Sequence, residues 1–321
     1  WVKSASTSLL IKQDCYLEMN KDSLVVGIKE MYRNHPMPNL PNFKLVSFND
    51  KELLASADAY IQHNILGQKR RSLDKYYKYI LDSNKPFIVA ESAVFRRNML
   101  QPPNLMAYHR YSWTSYFQNE GNYCNENCPP DRWHRIQAEQ NIEIKPWRTT
   151  GDYVLLILQR PGDSSLRNLL AKHKTYENFV TYTINQIKKH TDRPIRVRMH
   201  PLRQQQQLEI LQKFDVEIST NTHGAGLLEG GDGLYEDFKN AYAVVGFNSN
   251  ALTESICEGI PTFSMCASSM AWQCSNKDLK RIENPTSFAR EQWLYNLGYC
   301  QWREDEIAQG APWFHLLKRY N

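Results

Sequence analysis

VVGFNSNALTESICEGIP, residues 244–261, carries the clearest succession of strand, turn and helix in this chain. Its apolar run, which ends at Gly246, predicts a buried strand, and residues 251–258 predict a helix that carries Glu254. The turn between strand and helix is small and polar, with the side chains of Asn248, Ser249 and Asn250. Free N–H groups at the start of a helix bind phosphate, so the segment predicts a phosphate site with Glu254 placed to accept from sugar hydroxyls.

Strand and helix patterns alternate along the second half of the chain. Predicted strands cover residues 153–158, 195–199, 216–219, 243–247 and 261–265, and predicted helices lie between them at 176–190, 204–214, 234–240 and 251–258. Parallel neighbours need crossover helices, so this order predicts a doubly wound parallel sheet with ligands beyond the carboxyl ends of its strands.

The first half contains four short apolar runs, which predict buried parallel strands at residues 23–28, 43–48, 59–62 and 86–90. Residues 101–147 differ, because they are rich in Pro, Asn, Tyr and Trp and show little periodicity. We therefore expect loops rather than a sheet in that segment.

The segment 244–261 resembles the C-terminal domain of GT-B glycosyltransferases and of the related nucleotide-sugar epimerases. There a strand, a Gly/Ser turn, a helix with an acidic residue and a Gly-x-Pro follow one another. The resemblance implies an α/β fold of two Rossmann-like domains that face a central cleft. Residues 1–150 would bind the acceptor, residues 151–302 would bind the nucleotide sugar, and a helix within 303–321 would cross back to the first domain. It also implies that Ser249 and Asn250 bind donor phosphate and that Glu254 binds the ribose.

Two further loops follow strands of the predicted second domain, and they extend the predicted donor site. The first begins at Arg160, which adds positive charge, and the second follows the basic strand 195–199. His-Pro at the end of that strand is similar to strand ends in glycosyltransferases of bacterial capsule assembly. Helix capping, an ordinary turn and a structural histidine are the alternative interpretations. The predicted donor-binding residues are Arg160, Gly162, Ser164, Ser165, Arg198, His200, Gly246, Asn248, Ser249, Asn250 and Glu254.

Sugar transfer to a hydroxyl needs a base beside the acceptor, and acids at strand ends of the first half are the candidates. Glu91 follows the predicted strand 86–90 and is the first candidate, with Asp131 and His109 next. A carboxylate stabilised at a helix start is the alternative interpretation of Glu91. The acids of residues 304–306 fall at a predicted helix start, so we predict no metal and no cofactor beyond the nucleotide-diphosphate sugar donor.

All of the net charge of +5 lies in residues 1–150, which hold 20 Lys and Arg against 15 Asp and Glu. The predicted acceptor-binding residues are Arg96, Arg97, Arg110 and Tyr111. Further basic residues (69–71, Arg132, Arg135, Arg148) stand among aromatic ones (Tyr108, Trp113, Tyr116, Trp133, Trp147). This mixture suits phosphate contacts with base stacking, although a solvated basic surface over an aromatic core explains it equally.

The segments 281–285, 292–296, 299–302 and 310–313 resemble the end of a phage-encoded group of glycosyltransferases. That resemblance implies a hydroxymethylated base in double-stranded phage DNA as the acceptor. The alternatives are a surface polysaccharide or lipid-linked glycan acceptor, a nucleotide-sugar epimerase, and a noncatalytic nucleotide- or DNA-binding protein.

Composition indicates a globular protein. The hydrophobic fraction is 41%, and no apolar run reaches the roughly 18 residues that a membrane span needs. Seven scattered cysteines fit reduced thiols better than disulfides, and the pair Cys124 and Cys128 lacks a matching second pair for zinc. With no secretory signal at Trp1, we expect a cytoplasmic protein, in the host cytoplasm if it is phage-encoded.

Overall fold

The computed structural model describes residues 19–31, 36–63, 71–95, 108–221 and 231–318, which form two sheets with helices on their faces. The first sheet has the strand order β11-β5-β4-β3-β1-β2. Its strands are β1 (Val25–Ile28), β2 (Phe43–Val46), β3 (Ala59–His63), β4 (Phe87–Ser92), β5 (Tyr108–Trp113) and β11 (Gln301–Arg303). Strands β1 to β4 are parallel, whereas β5 is antiparallel to both β4 and β11. Helices α1 (Lys51–Ser56), α2 (Arg71–Asp82) and α3 (Asp131–Glu139) accompany this sheet.

The second sheet is wholly parallel, with the order β10-β9-β6-β7-β8. Its strands are β6 (Tyr153–Ile157), β7 (Ile195–Arg198), β8 (Glu217–Ile218), β9 (Ala241–Gly246) and β10 (Thr262–Ser264). Its helices are α4 (Arg167–His173), α5 (Tyr176–His190), α6 (Gln204–Leu211), α7 (Gly231–Phe238) and α8 (Ala251–Cys257). Two doubly wound sheets confirm the predicted α/β class.

Helix α5 shows how local sequence sets this architecture. Thr175 caps its start, since the Thr175 side chain accepts from the Asn178 amide at 3.0 Å. The buried side chains recur three and four positions apart, at Tyr176, Phe179, Val180, Thr183, Ile184 and Ile187. That stripe packs against strands β6 and β7, whose side chains share its core cluster. Strand β6 is buried along its whole length because it lies at the centre of the sheet.

The chain returns to the first sheet after helix α9 (Glu291–Gly298). Strand β11 pairs with β5, and helices α10 (Glu304–Ala308) and α11 (Ala311–Lys318) follow it. Trp313 of α11 is buried beside Phe43 and Trp113 of the first sheet. The return therefore begins with a strand at Gln301, upstream of the residue at which we placed the end of the second domain. No helix among the described residues is long and apolar enough to cross a bilayer.

The prediction that residues 101–147 lack a sheet was wrong. Strand β5 lies in this segment and adds to the first sheet, and helix α3 packs against α9 of the second half. The strand pattern is hidden because two polar residues of β5, Arg110 and Ser112, are buried beside its aromatic residues. Hydrophobic periodicity does not detect a strand whose polar side chains face the interior.

Candidate active site

A cavity of about 330 Å³ opens between the two sheets, at the carboxyl ends of their parallel strands. This is the edge where parallel sheets bind ligands. Nine residues predicted for the site line the cavity: Glu91, Arg110, Arg160, Ser164, Ser165, His200, Asn248, Ser249 and Asn250. Seven others were not predicted: Ser92, Tyr116, Phe117, Gln159, Asp163, Ser268 and Met270.

The wall from the first sheet is built on Glu91, near the end of β4. Its Oε1 accepts from the amide of Ser92 at 2.8 Å and from the Ser92 hydroxyl at 2.7 Å. Burial by itself would raise the pKa of the Glu91 carboxyl, but the charge of Arg110, the two bonds from Ser92 and the nearby His63 outweigh it. The pKa of Glu91 therefore lies below its ordinary value, and the carboxylate is ionised at neutral pH.

The turn after β6 forms part of the opposite wall. The amide of Asp163 donates to the carbonyl of Arg160 at 3.1 Å, and Gly162 between them has a φ of +78°. Asp163 Oδ1 then accepts from the Ser165 amide at 2.9 Å and starts a short 3₁₀ turn at Ser164. Gly162 thus shapes the turn without lining the cavity. Among the described residues, no carboxylate pairs with Arg160, so its charge is available to a ligand.

Side-chain hydrogen bonds join the loops that follow β6, β9 and β10. Gln159 accepts from the Asn248 amide at 3.0 Å and donates to the Ser165 hydroxyl at 2.9 Å. The Asn248 side chain donates to the Ser165 carbonyl at 2.9 Å and to the Ser268 hydroxyl at 3.1 Å. These hydrogen bonds hold the three loops that line this side of the cavity in fixed positions relative to one another.

The turn before α8 contacts the chain that follows β4. The Asn250 side chain makes no cap bond and donates to the carbonyl of Ala93 at 3.1 Å, across the cleft. The Ser249 hydroxyl accepts from the amide of Ala251 at 3.3 Å. Within the described residues, the backbone amides of Ser249 and Asn250 donate to no protein acceptor. Both residues line the cavity, so their amides are placed to receive an anion.

His200 follows β7 and is held by the polypeptide on two sides. Its amide donates to Gln207 Oε1 at 3.0 Å, and its Nδ1 accepts from the Leu202 amide at 3.1 Å. Burial lowers the pKa of His200, and Asp163 and Arg160 act on it in opposite directions. The ring is therefore neutral at neutral pH and carries its proton on Nε2, which makes it a hydrogen-bond donor at the cavity.

Besides Gly162, three residues predicted for the donor site lie outside the cavity lining. Arg198 donates to Asp237, which is fully buried, at 2.5 Å, and to the Gly233 carbonyl at 2.9 Å. Glu254 is buried in α8, where it accepts from the Tyr235 hydroxyl at 2.8 Å. Gly246 is buried at the end of β9.

The structure also separates several first-half residues from the cavity. His109 lies 3.5 Å from Glu304, and the exposed Asp131 accepts from the Tyr299 hydroxyl at 2.9 Å. Tyr111 points to the opposite face of β5 from Arg110, where it is buried and its hydroxyl donates to the Pro36 carbonyl. Arg96 and Arg97 lie outside the described residues.

Most of the basic and aromatic residues that suggested DNA binding have internal roles. Arg132 and Arg135 both pair with Glu306, and Arg148 donates to three backbone carbonyls, one of them that of Phe238. Trp113 and Trp133 are buried. The interpretation as an aromatic core therefore fits these described residues.

Phe117 was missed, and Tyr116 was named only as an aromatic residue among basic ones, because both lie in the segment that we predicted as loops. They belong to a hairpin at residues 113–122, closed by the pairing of Trp113 with Asn122. The hairpin reaches the second sheet's loops, since Tyr116 contacts the Ser164 hydroxyl at 3.4 Å. The "Thr-Ser-Tyr-Phe" that follows β5 would have suggested a turn only once the strand itself had been recognised.

The sequence matches no protein-family model and no curated protein. The similar solved structures include two from Thermosulfurimonas dismutans, both described as KpsC. The β-Kdo 2,4-transferase has a TM-score of 0.53 and 12% identity, over 87% of this chain and 91% of its own. The β-Kdo 2,7-transferase has a TM-score of 0.51 and 15% identity, over 88% of this chain and 93% of its own. At such identity the similarity concerns the fold, and it confirms the predicted GT-B-like architecture.

A third structure, the UDP-GlcNAc 2-epimerase of Methanocaldococcus jannaschii, aligns with a TM-score of 0.32 and 13% identity over 77% of this chain and 76% of its own.

Proposed function

We propose that this chain is a glycosyltransferase that moves a sugar from a nucleotide-diphosphate sugar to a hydroxyl acceptor. The observation that carries the proposal is the composition of the cavity between the two sheets. An ionised carboxylate, Glu91, stands on one wall. Hydrogen-bond donors stand on the other, together with the Arg160 guanidinium, which pairs with no carboxylate among the described residues. Both walls lie where parallel sheets bind ligands.

The wall from the second sheet suits the donor's phosphates. The Arg160 guanidinium supplies charge, His200 supplies an N–H from its Nε2, and the amides of Ser249 and Asn250 point to the same cavity. Such donors stabilise the negative charge that develops on a departing diphosphate. Because the neighbouring loops are tied through Asn248, these donors are held in place before substrate arrives.

Glu91 is placed to accept the proton of the acceptor hydroxyl. Its Oε1 is taken by the two bonds from Ser92, which leaves Oε2 for the acceptor. A low pKa keeps this carboxylate ionised, and positioning compensates for the weaker basicity that accompanies a low pKa. The acceptor would then lie on the first-sheet side, with the sugar between Glu91 and Arg160.

We infer a glycan hydroxyl as the acceptor. The two similar structures are described as Kdo transferases, which supports sugar transfer at the level of the fold. A DNA acceptor lacks support among the described residues, because Arg132, Arg135 and Arg148 are bound to protein groups. Retention of the protein on DNA-cellulose at low salt, lost as salt increases, would reverse this preference.

A thermal-shift screen with nucleotides and nucleotide sugars tests the donor site. A ligand at a hundred times its Kd stabilises the native state by about 2.7 kcal/mol, which raises the Tm by several degrees. We expect Arg160→Gln to weaken this shift. Arg196→Gln removes the partner of the exposed Glu217, which lies outside the cavity lining, and should leave the shift unchanged. Equal shifts in wild type and Arg160→Gln would remove Arg160 from the site.

Product analysis separates transfer from the epimerase alternative. A transferase releases free nucleotide only when an acceptor is present and forms a new glycoside. An epimerase returns an intact nucleotide sugar with one inverted centre and needs no acceptor. The cavity wall from the first sheet favours transfer, because its residues Glu91 and Arg110 lie on the side where the acceptor would bind.

A further inference from the structure

Strand β5 carries a buried arginine, Arg110, directly opposite the cavity carboxylate Glu91. We propose that Arg110 is a positioning residue for the transfer reaction, which orients Glu91 through Ser92. The catalytic consequence of this inference rests on the proposed function. Its geometry is that of the protein without substrate. The sequence had suggested Arg110 as an acceptor contact instead.

The antiparallel direction of β5 is what places Arg110 there. Parallel strands bring only their carboxyl ends to the cleft, whereas β5 runs the other way and brings its first residues to the same edge. In the β4–β5 register, Arg110 lies directly opposite Glu91 and His109 lies opposite Ser92. Side chains of directly opposed residues lie on one face of a sheet, so the guanidinium and the carboxylate share a face.

A chain of hydrogen bonds connects the two charged groups. Arg110 Nε donates to the carbonyl of Ser92 at 2.7 Å. Ser92 in turn donates to Glu91 Oε1 through both its amide and its hydroxyl. Arg110 thus fixes the residue that fixes Glu91, and the three residues line one wall of the cavity. Because Oε1 is held, Oε2 has a defined direction.

Burial makes this arrangement sensitive to the loss of one charge. Arg110 is only 5% exposed, so its charge would be unfavourable without the adjacent carboxylate. The titratable groups that interact electrostatically with Glu91 are Arg110 from β5, His63 from β3, and Tyr116 and Tyr123 from the chain that follows β5. Arg160 and His200 line the far side of the same cavity. Of the favourable influences on the ionised carboxylate, that of Arg110 is the largest, so the pKa of Glu91 rises without it.

Carboxyl-carbon NMR of the resting protein tests the proposal without any substrate. Protein labelled with ¹³C in its glutamate side chains is titrated, and Glu91→Gln assigns the Glu91 signal by its disappearance. We expect Arg110→Met to move the Glu91 titration to higher pH and Arg110→Lys to leave it near the wild-type position. Lys213→Met removes one positive charge from a remote exposed pair with Glu177 and should leave it unchanged. A Glu91 titration that is the same in Arg110→Met and in wild type would overturn the proposal.

Kinetics then separate positioning from a general structural effect. We expect Arg110→Met to lower kcat at neutral pH by on the order of 10²-fold and to move the acidic limb of the pH profile upward, with the KM for the donor unchanged. Arg110→Lys should restore the acidic limb but only part of kcat, because an ammonium does not reproduce the geometry of the bond to Ser92. A raised KM with an unchanged pH profile would make Arg110 a substrate contact and contradict the proposal.

The two proposals fail in distinguishable ways. If no nucleotide sugar is turned over but the Glu91 signal moves as expected, the positioning role stands and the glycosyltransferase assignment fails. If turnover occurs and the signal does not move, the positioning role fails alone. Should Arg110→Met not fold, the pair Arg110→Met/Glu91→Gln removes both charges and is expected to fold, and its failure to recover stability would show that the two residues do not interact.

Discussion

Replacing Arg198 with methionine should destabilise the second domain rather than weaken donor binding. The Arg198 guanidinium donates to Asp237 Oδ2 at 2.5 Å and to the carbonyls of Gly233 and Asn221 at 2.9 and 3.2 Å. Asp237 also accepts from the Ser219 hydroxyl, at 2.7 Å, and is fully buried. Arg198→Met therefore leaves a buried carboxylate without its cation.

Breaking a buried ion pair by removing one partner costs about 3–5 kcal/mol. At about 2–4 °C for each kcal/mol, the Tm should fall by about 6–20 °C. Arg196→Met is the matched control, because Arg196 lies on the same strand and pairs with the exposed Glu217. This partly exposed pair contributes about 0–1 kcal/mol and the stacking of Arg196 on the Tyr153 ring about 0.5–2 kcal/mol, so this variant should lose less stability than Arg198→Met.

Differential scanning calorimetry measures both variants, and titration with nucleotide at a temperature where each is folded measures their affinity. We expect a lowered Tm and unchanged affinity in Arg198→Met. An unchanged Tm with a large loss of affinity would refute the structural role and return Arg198 to the predicted donor set. A second variant, Arg198→Met/Asp237→Leu, should recover only part of the stability, because it removes the unpaired charge but leaves Ser219 and the Gly233 carbonyl without these partners.

Two further predictions concern stability. Gly259→Ala should lower the urea midpoint, because Gly259 has a φ of +72° and an added Cβ would lie 2.0 Å from the Pro146 carbonyl oxygen. Gly310→Ala, whose φ is similar but whose closest neighbours are side-chain atoms, should cost less stability. Equal losses of stability in the two variants would contradict this account. Burial opposes ionisation of Glu306, but Arg132 and its other partners lower its pKa to about 2, so the stabilisation is complete above its ordinary pKa of about 4.5 and is lost as pH falls towards 2. Glu306→Gln should therefore remove about 3 kcal/mol of stability at pH 7 and flatten the acid limb of unfolding, and an unchanged acid limb would contradict this account.

The second sheet was predictable because its strands are continuous apolar runs separated by helical patterns. Strands β6 and β9 are buried along their whole length, and such strands give a signal that needs no tertiary information. The site at their carboxyl ends followed from the same pattern, since ligands of parallel sheets bind there. Arg160 and His200 were predicted on this ground and line the cavity.

Residues whose environment depends on distant sequence were not predictable. Arg198 ends strand β7 and Arg160 follows strand β6, so the sequence pattern predicts the same role for both. Only the fold shows that Asp237 pairs with Arg198. Glu254 was expected at the ribose, yet it is bonded to Tyr235 within the second domain. Strand β5 was missed because its polar residues face inward. The hydrogen bonds that connect Arg110 to Glu91 through Ser92, and the hairpin that carries Tyr116, were missed for the same reason.

The most direct test compares wild type with Glu91→Gln, after the thermal-shift screen has identified a nucleotide sugar that binds. Each protein is incubated with that donor and a hydroxyl-bearing glycan, and the released nucleotide and the new glycoside are measured by mass spectrometry. Our account predicts equal donor affinity in the two proteins, acceptor-dependent release of nucleotide by wild type, and loss of that release in Glu91→Gln. Wild-type turnover in Glu91→Gln would contradict it.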